Sequence, residues 1–280
     1  MRKTSSRLIP ELVTHVQTWD ALVDWRYVLP PSRPAYWQLE ITRRFLRTRN
    51  RREPVAVLGS TPEFRDLLAE MEFRSVYIFE KNLQFHKRMK QFRCYENREQ
   101  LVRGDWLQTL PDYANTFCAI LSDLTSGNLP YNKRDSFYRL ISRALRPGAA
   151  FIDKVLRHPM PHDRLATLEH EFIRLPVNLD TINRFSCKFF FCSELLEIRS
   201  EVDSSLFYDI LVDRFSHPKL KALLKGTRLI TPSGCHWWYG VPWRKASIPY
   251  FGHLRVLKSV EDLPDSPYAR RCKLYLLARR

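Results

Sequence analysis

Between residues 54 and 156, short apolar runs alternate with helical periodicity in the order of a layered α/β unit. The run PVAVLGSTPE at 54–63 has strand character, breaks at Gly59 into small residues and then enters a helical pattern. Such a turn lets backbone N–H groups and a helix N-terminus face a polar ligand. SVYIFEKN at 75–82 is a second buried-strand run, and it ends in an acid, Glu80. An acid at that position is placed to accept hydrogen bonds from ribose hydroxyls. VRGDW at 102–106 follows, where Asp105 could bond an adenine amino group and Trp106 could stack on its ring. FCAILSDLTSGNLPY at 117–131 is a strand that stops at Asp123 and opens into small and polar residues. RDSFYRLISRALRPGAAFIDKVL at 134–156 closes the series with an amphipathic helix, a Pro147-Gly148 turn and another apolar strand. The series reads β-loop-α-β-α-β-loop-α-β.

Each of these residues also has a plain structural role open to it. Glu80 can cap a helix, Asp105 can close an Asx-turn before a tryptophan that fills the core, and Asp123 can cap its loop. The order of the five signals favours a nucleotide-type cofactor site. The lone Gly59 argues against a dinucleotide oxidoreductase, whose pyrophosphate needs the closer backbone approach of a glycine-rich turn.

On the strings LGSTPE, FEKN, GDW, SDLTSGNLPY and LRPGAAF, the chain resembles the class I S-adenosylmethionine-dependent methyltransferases. It is similar in particular to a bacterial branch whose first loop reads Gly-x-Thr-Pro-Glu. The resemblance covers residues 52–156 and extends thinly to YARRCKLYLLARR at the C-terminus, which looks like the family's final hairpin strand. It implies a Rossmann-like, doubly wound, mostly parallel seven-stranded sheet with an N-terminal helical cap (1–51) on a methyltransferase domain (52–280). Within that domain it implies a helical insert at about 157–225, and an aromatic loop with the final strands at 226–280.

The implied cofactor is S-adenosyl-L-methionine. Gly59, Ser60, Thr61 and Glu63 would form the methionine-side loop, Glu80 and Lys81 would flank the ribose, and Gly104, Asp105 and Trp106 would meet the adenine. Asp123, Leu124 and Thr125 would lie where methionine ends and the acceptor begins. The related branch carries a tyrosine followed by an Arg-Pro pair before its core, which points here to Tyr27, Arg33 and Pro34. Methyl transfer from a sulfonium is an in-line displacement that demands no acid-base pair. The catalytic candidates are accordingly weak: Tyr27, Asp123 and Asn128. The histidines His158, His162, His170 and His236 could each act as a base near neutral pH, yet lone histidines are more often structural. Material after the fifth strand commonly caps the acceptor pocket in this family.

A net charge of +16 is the one anomaly of composition. TRRFLRTRNRR at 42–52 and RMKQFR at 88–93 concentrate it. These runs read as solvated faces or as an RNA-binding face. The acceptor is therefore expected to be a small molecule or peptide-derived group. The alternatives are an RNA methyltransferase using the arginine-rich face, a cyclase that consumes the cofactor, and an inactive interaction module. SDLTSGNLPY lacks the Asn/Asp-Pro-Pro-Tyr/Phe pattern of many amino-methylating nucleic-acid enzymes, which weighs against the RNA reading. The six cysteines are dispersed without zinc-type spacing, so reduced thiols and no structural metal are expected. No apolar run approaches the roughly 20 residues that span a bilayer, and no secretory pattern opens the chain, so a cytoplasmic address is expected.

Overall fold

Strand β1 (Val55–Leu58) is buried along its whole length. Its alternate side chains enter two separate cores, Ala56 and Leu58 on one face and Val55 and Val57 on the other. A strand with no polar face belongs at the centre of a sheet covered on both sides. The computed structural model describes residues 25, 28, 30, 32–96, 98–157, 164–190, 192, 201–231, 236–238, 249–261 and 272–280. The chain divides into two compact units, one of Pro30–Arg157 with Gly240–Arg280 and one of Met1–Leu29 with His158–Tyr239.

The first unit contains α1 (Tyr36–Leu46), β1, α2 (Pro62–Glu70), β2 (Val76–Phe79), α3 (Leu83–Lys90), β3 (Glu99–Val102), the short α4 (Trp106–Thr109) and β4 (Phe117–Asp123). A 3-10 turn (Thr125–Asn128), α5 (Tyr131–Ala144) and β5 (Leu145–Leu156) follow. Its last strands, β8 (Leu254–Glu261) and β9 (Cys272–Arg279), come after the other unit's elements. The sheet order is β3-β2-β1-β4-β5-β9-β8. β1 to β5 pair in parallel, and β9 runs antiparallel to both β5 and β8. This Rossmann-like, seven-stranded, mostly parallel sheet is the architecture that the resemblance implies.

α5 covers one face through Phe137, Tyr138, Ile141 and Ala144, while α1 and α2 cover the other through Leu46, Phe64, Leu67 and Leu68. Tyr77, Phe79, Tyr113 and Phe117 meet edge-to-face or stacked, with centroids 5.1–5.8 Å apart. β3 was not separated from VRGDW by its pattern, because the edge strand EQLV carries two polar residues and is never fully buried. The basic run at 88–93 is not a uniform face either. Arg93 is almost fully buried, 2.9 Å from Glu99 and 3.5 Å from Asp66.

The second unit contains α6 (Leu165–Phe172), α7 (Leu179–Phe189), the ribbon strands β6 (Glu201–Asp203) and β7 (His236–Trp238), α8 (Ser204–Val212) and α9 (Pro218–Ile230). α8 and α9 are separate helices, because Pro218 starts the second at its first turn. Phe172, Phe185, Phe189, Tyr208 and Phe215 form its aromatic core. Gly226 lets α9 approach α7, since a Cβ there would stand 2.6 Å from Ile182 Cδ1. Gly226→Val is therefore expected to cost about 1–3 kcal/mol by overpacking, read as a lowered urea midpoint with unchanged slope.

Candidate functional site

The sheet order reverses between β1 and β4, so the chain leaves these neighbouring strands in opposite directions. In open α/β sheets the crevice beyond such strand ends is where ligands bind. Most of the residues singled out by sequence collect there.

Gly59 follows β1 with φ +88°, a conformation natural to glycine, and nothing stands within 4 Å of where a Cβ would be. Its N–H donates to Phe79 O at 2.9 Å, which ties the β1 turn to the end of β2. Thr61 precedes α2 without giving it a side-chain cap, and Pro62 opens the helix. The first N–H groups of α2 thus lack the usual side-chain acceptor. Arg33 brings a guanidinium to the same place, 3.7 Å from Glu63.

Glu80 sits at the end of β2, 8% exposed. Its Oε1 accepts from Asn82 N at 2.9 Å. Burial raises its pKa above the ordinary value, opposed by hydrogen bonds from the Asn82 backbone and Ser60 and by the Lys81 charge. Ser60 Oγ also lies 3.0 Å from His86 Nδ1. Burial, and then the Arg65 cation, push the His86 pKa down, so this imidazole is neutral around pH 7. Ser60 and His86 therefore brace the acid from behind. His86 is a member of the cluster that sequence reasoning missed, because nothing in α3's pattern distinguishes it from a surface histidine.

Gly104 follows β3 with φ +150°, and a Cβ there would meet Thr109 Cγ2 at 2.7 Å. Asp105 is the N-cap of α4, with Oδ1 accepting from Leu107 N at 2.8 Å. Trp106 is half-buried. Its Nε1 donates to Phe79 O at 3.1 Å and its ring is 6.4 Å from Phe137. The indole thus spans the end of β2 beside Glu80, and both residues already have structural partners. Lys81 is exposed.

At the end of β4, Asp123 is paired with Lys154 at 2.5 Å, with the side chains 4% and 1% exposed. Lys154 Nζ also donates to Arg33 O at 2.9 Å, so the pair anchors the segment before α1. Burial raises the Asp123 pKa, and the Lys154 charge opposes that rise. On the other face, Ser122 Oγ donates to Asp153 Oδ1 at 2.8 Å and Tyr138 OH to Asp153 Oδ2 at 2.9 Å. Burial pushes Asp153 up to about 7. Lys154, Asp153 and Tyr138 were also missed, although the polar pair Asp-Lys inside the apolar run FIDKVL was a visible signal. Leu124 takes the left-handed conformation, φ 60°, which costs a non-glycine residue roughly 1 kcal/mol. Thr125 Oγ1 donates to Leu58 O at 3.3 Å and joins this loop to β1. Asn128 is exposed at the end of the turn.

Tyr27, His158 and His162 lie outside the described residues, as does Cys235, and of His236 only the backbone is described. His170 stands in α6 of the second unit. Cys94 and Cys118 are free thiols, and burial pushes Cys118 up to about 11. Among the described residues no group of His, Cys, Asp and Glu is arranged to hold a metal ion, and no helix is long and apolar enough to cross a membrane.

No family model and no curated protein sequence matches the chain. Among solved structures it is similar to a provisionally named Zn-dependent alcohol dehydrogenase from Rhodobacter sphaeroides, at 17% identity and TM-score 0.53, covering 91% of this chain and 94% of that one. It also matches the N-methyltransferase NodS from Bradyrhizobium japonicum WM9 at 11% identity and TM-score 0.46, covering 87% and 85%. A third match is 1,6-didemethyltoxoflavin-N1-methyltransferase from Burkholderia thailandensis, at 13% identity and TM-score 0.42, covering 87% and 78%. At these identities such likenesses concern the fold alone.

Replacing Lys154 by Met is expected to destabilise the protein by about 3–5 kcal/mol, because a buried carboxylate loses its partner. The loss should shrink as pH falls and Asp123, whose pKa burial already raises, takes up a proton, and the double variant Asp123→Leu/Lys154→Met should recover most of it in urea unfolding. Asp153 makes a separate prediction. Its folded pKa of about 7 exceeds the ordinary carboxylate value of 3.8, so the folded state holds the extra proton between these values and stability falls as pH rises through that window. Asp153→Asn should remove this contribution and flatten the pH 4–7 profile of unfolding free energy.

Proposed function

We propose that this chain binds S-adenosyl-L-methionine at the ends of β1 to β4 and transfers its methyl group to a small-molecule or peptide-derived acceptor. The observation that carries this reading is the pairing of Gly59's open, left-handed turn with the buried acid Glu80, joined through Phe79 and Ser60 at the point where the sheet order reverses. The residues present suit that group. Gly59 leaves its face clear, α2 begins without a side-chain cap, and Glu80 presents a braced carboxylate at the end of β2.

In this reading the uncapped start of α2 and the guanidinium of Arg33 receive the amino-acid carboxylate, with Glu63 and Thr61 beside them. Glu80 accepts from the ribose hydroxyls, with Lys81 alongside. Asp105 keeps Oδ2 for the adenine amino group, and the exposed side of Trp106 with Gly104 lines the ring. When bound, the cofactor supplies an electrophilic methyl on a sulfonium, so the protein's share is placement. Asp123 is held in its ion pair, which suits it to fixing the loop rather than taking a proton. Thr125 and Leu124 shape the loop, and Asn128 is the exposed polar group nearest its end.

Two alternatives fit less well. A dinucleotide oxidoreductase uses two mononucleotide halves of parallel strands. Here antiparallel β9 takes the place beside β5 where the last parallel strand of the second half would lie. An RNA methyltransferase guided by the arginines of 42–52 meets a different obstacle: that stretch leads to the start of β1, and the site lies at the other end of the same strand.

Titration calorimetry with S-adenosylmethionine and S-adenosylhomocysteine, with NAD as control, tests the reading. Micromolar binding is expected, weakened by roughly 10- to 100-fold in Glu80→Ala, the worth of hydrogen bonds to a charged acceptor. Because burial raises the Glu80 pKa, affinity should decline as pH falls and the carboxylate takes up a proton. Well-folded protein that binds neither ligand would reject the cofactor assignment and favour an interaction module. In turnover, release of methylthioadenosine in place of S-adenosylhomocysteine would identify the cyclase chemistry.

A further inference from the structure

At the opposite edge of the sheet, an open groove of about 670 Å³ is lined by Arg49, Asn50, Arg51, Arg52, Glu72 and Arg74. Its walls are the connection from α1 to β1 and the turn from α2 to β2, both of which precede their strands. The two walls are held to each other, since Arg74 N donates to Arg51 O at 3.0 Å. The first wall is braced internally by Arg52 N bonding Asn50 Oδ1 at 3.0 Å, and Arg49 Nη1 fixes it to Gly148 O at 2.7 Å. The cationic groove is therefore preformed.

Its charge is poorly compensated. Glu72 meets Arg51 at 3.2 Å, but both side chains are more than half exposed, and such a pair contributes little. Arg52 and Arg74 are exposed and form no ion pair among the described residues. All four cations are arginines, whose planar forks suit phosphate oxygens.

We propose that this groove binds the phosphate backbone of a nucleic acid, RNA or DNA, as a docking surface separate from the cofactor end. The concave shape and the absence of any apolar lining residue disfavour a flat bilayer, and the net charge of +16 steers polyanions toward the protein. β1 alone separates this edge from Gly59 by about 13 Å, so a strand docked here is held without its bases being presented to the site. The groove stands whether or not the opposite edge binds S-adenosylmethionine.

Fluorescence anisotropy with a labelled mixed-sequence RNA of about 20 nucleotides, and the DNA strand of the same sequence, tests this. Binding should weaken steeply between 50 and 200 mM salt, with a log–log slope of about −0.7 per phosphate engaged. Arg52→Ala/Arg74→Ala should lower affinity at least roughly tenfold and reduce the slope by about 1–2. Cofactor affinity by calorimetry should be unchanged in that variant, which separates failure of the groove from failure of the cofactor reading. RNA preferred over DNA, or equal binding of both, identifies the source, and either outcome supports the groove. No binding at 50 mM salt, equal binding by wild type and variant, or tighter binding to phosphatidylserine vesicles or polyaspartate would overturn it.

Discussion

Two polar dipeptides buried inside apolar strands set the pairing on which the candidate site depends. Ser122-Asp123 ends β4, and Asp153-Lys154 sits within β5 in register with it, Ser122 beside Asp153 and Asp123 beside Lys154. Alternation then sends Ser122 and Asp153 to the α5 face and Asp123 and Lys154 to the other. A slip of one residue would strand each charge on the wrong face without its partner, at several kcal/mol per buried ion. The register is adjusted at the other end of the pair, where the ladder shifts between Phe117 and Ala119 as β5 passes Pro147 and Gly148. Gly148 takes φ +76° there, so a turn at the start of β5 helps place ion pairs at its far end.

The same register supports the loop after β4. Leu124 N donates to Lys154 O at 3.1 Å, so the strained residue after β4 is fastened to the strand that carries the lysine. Arg33 O fastens the segment before α1 to the same ammonium. One lysine thus connects three pieces of chain that are far apart in sequence, and a pair of buried charges does more here than fill space. The Asp153 network lies one layer away, with Tyr138 of α5 joined to β5.

Much of the fold was legible because strand and helix periods leave strong marks. β1, β2, β4 and β5 are runs of apolar residues bounded by Gly59, Glu80, Asp123 and the Pro-Gly turn, and the last strand was visible within YARRCKLYLLARR. β3 was less legible, because an edge strand with Glu99 and Gln100 carries no such mark. The small and acidic residues at strand ends were legible as a set because strand ends are where polar residues break an apolar run. Ser60, Glu80, Asp105 and Asp123 were found that way. Their partners His86 and Lys154 were not, since they come from separate segments and meet Ser60 and Asp123 only through packing. The double duty of Asp105 and Trp106 was also hidden: capping α4 and bonding Phe79 O are local acts, and each leaves another part of the side chain exposed.

A parallel sheet has two chemically different edges, and this chain uses the difference. Beyond the strand ends lie Gly59, Glu80, Asp105 and the neutralised Asp123–Lys154 pair, an arrangement of backbone donors and acids suited to a zwitterionic, ribose-bearing ligand. Before the strand starts lie Arg49, Arg51, Arg52 and Arg74. Placed before the strands, these arginines are kept out of hydrogen-bonding reach of Glu80 and Asp123 by the length of the strands, about 13 Å for β1, so the excess positive charge leaves the hydrogen bonds of those acids to their own neighbours.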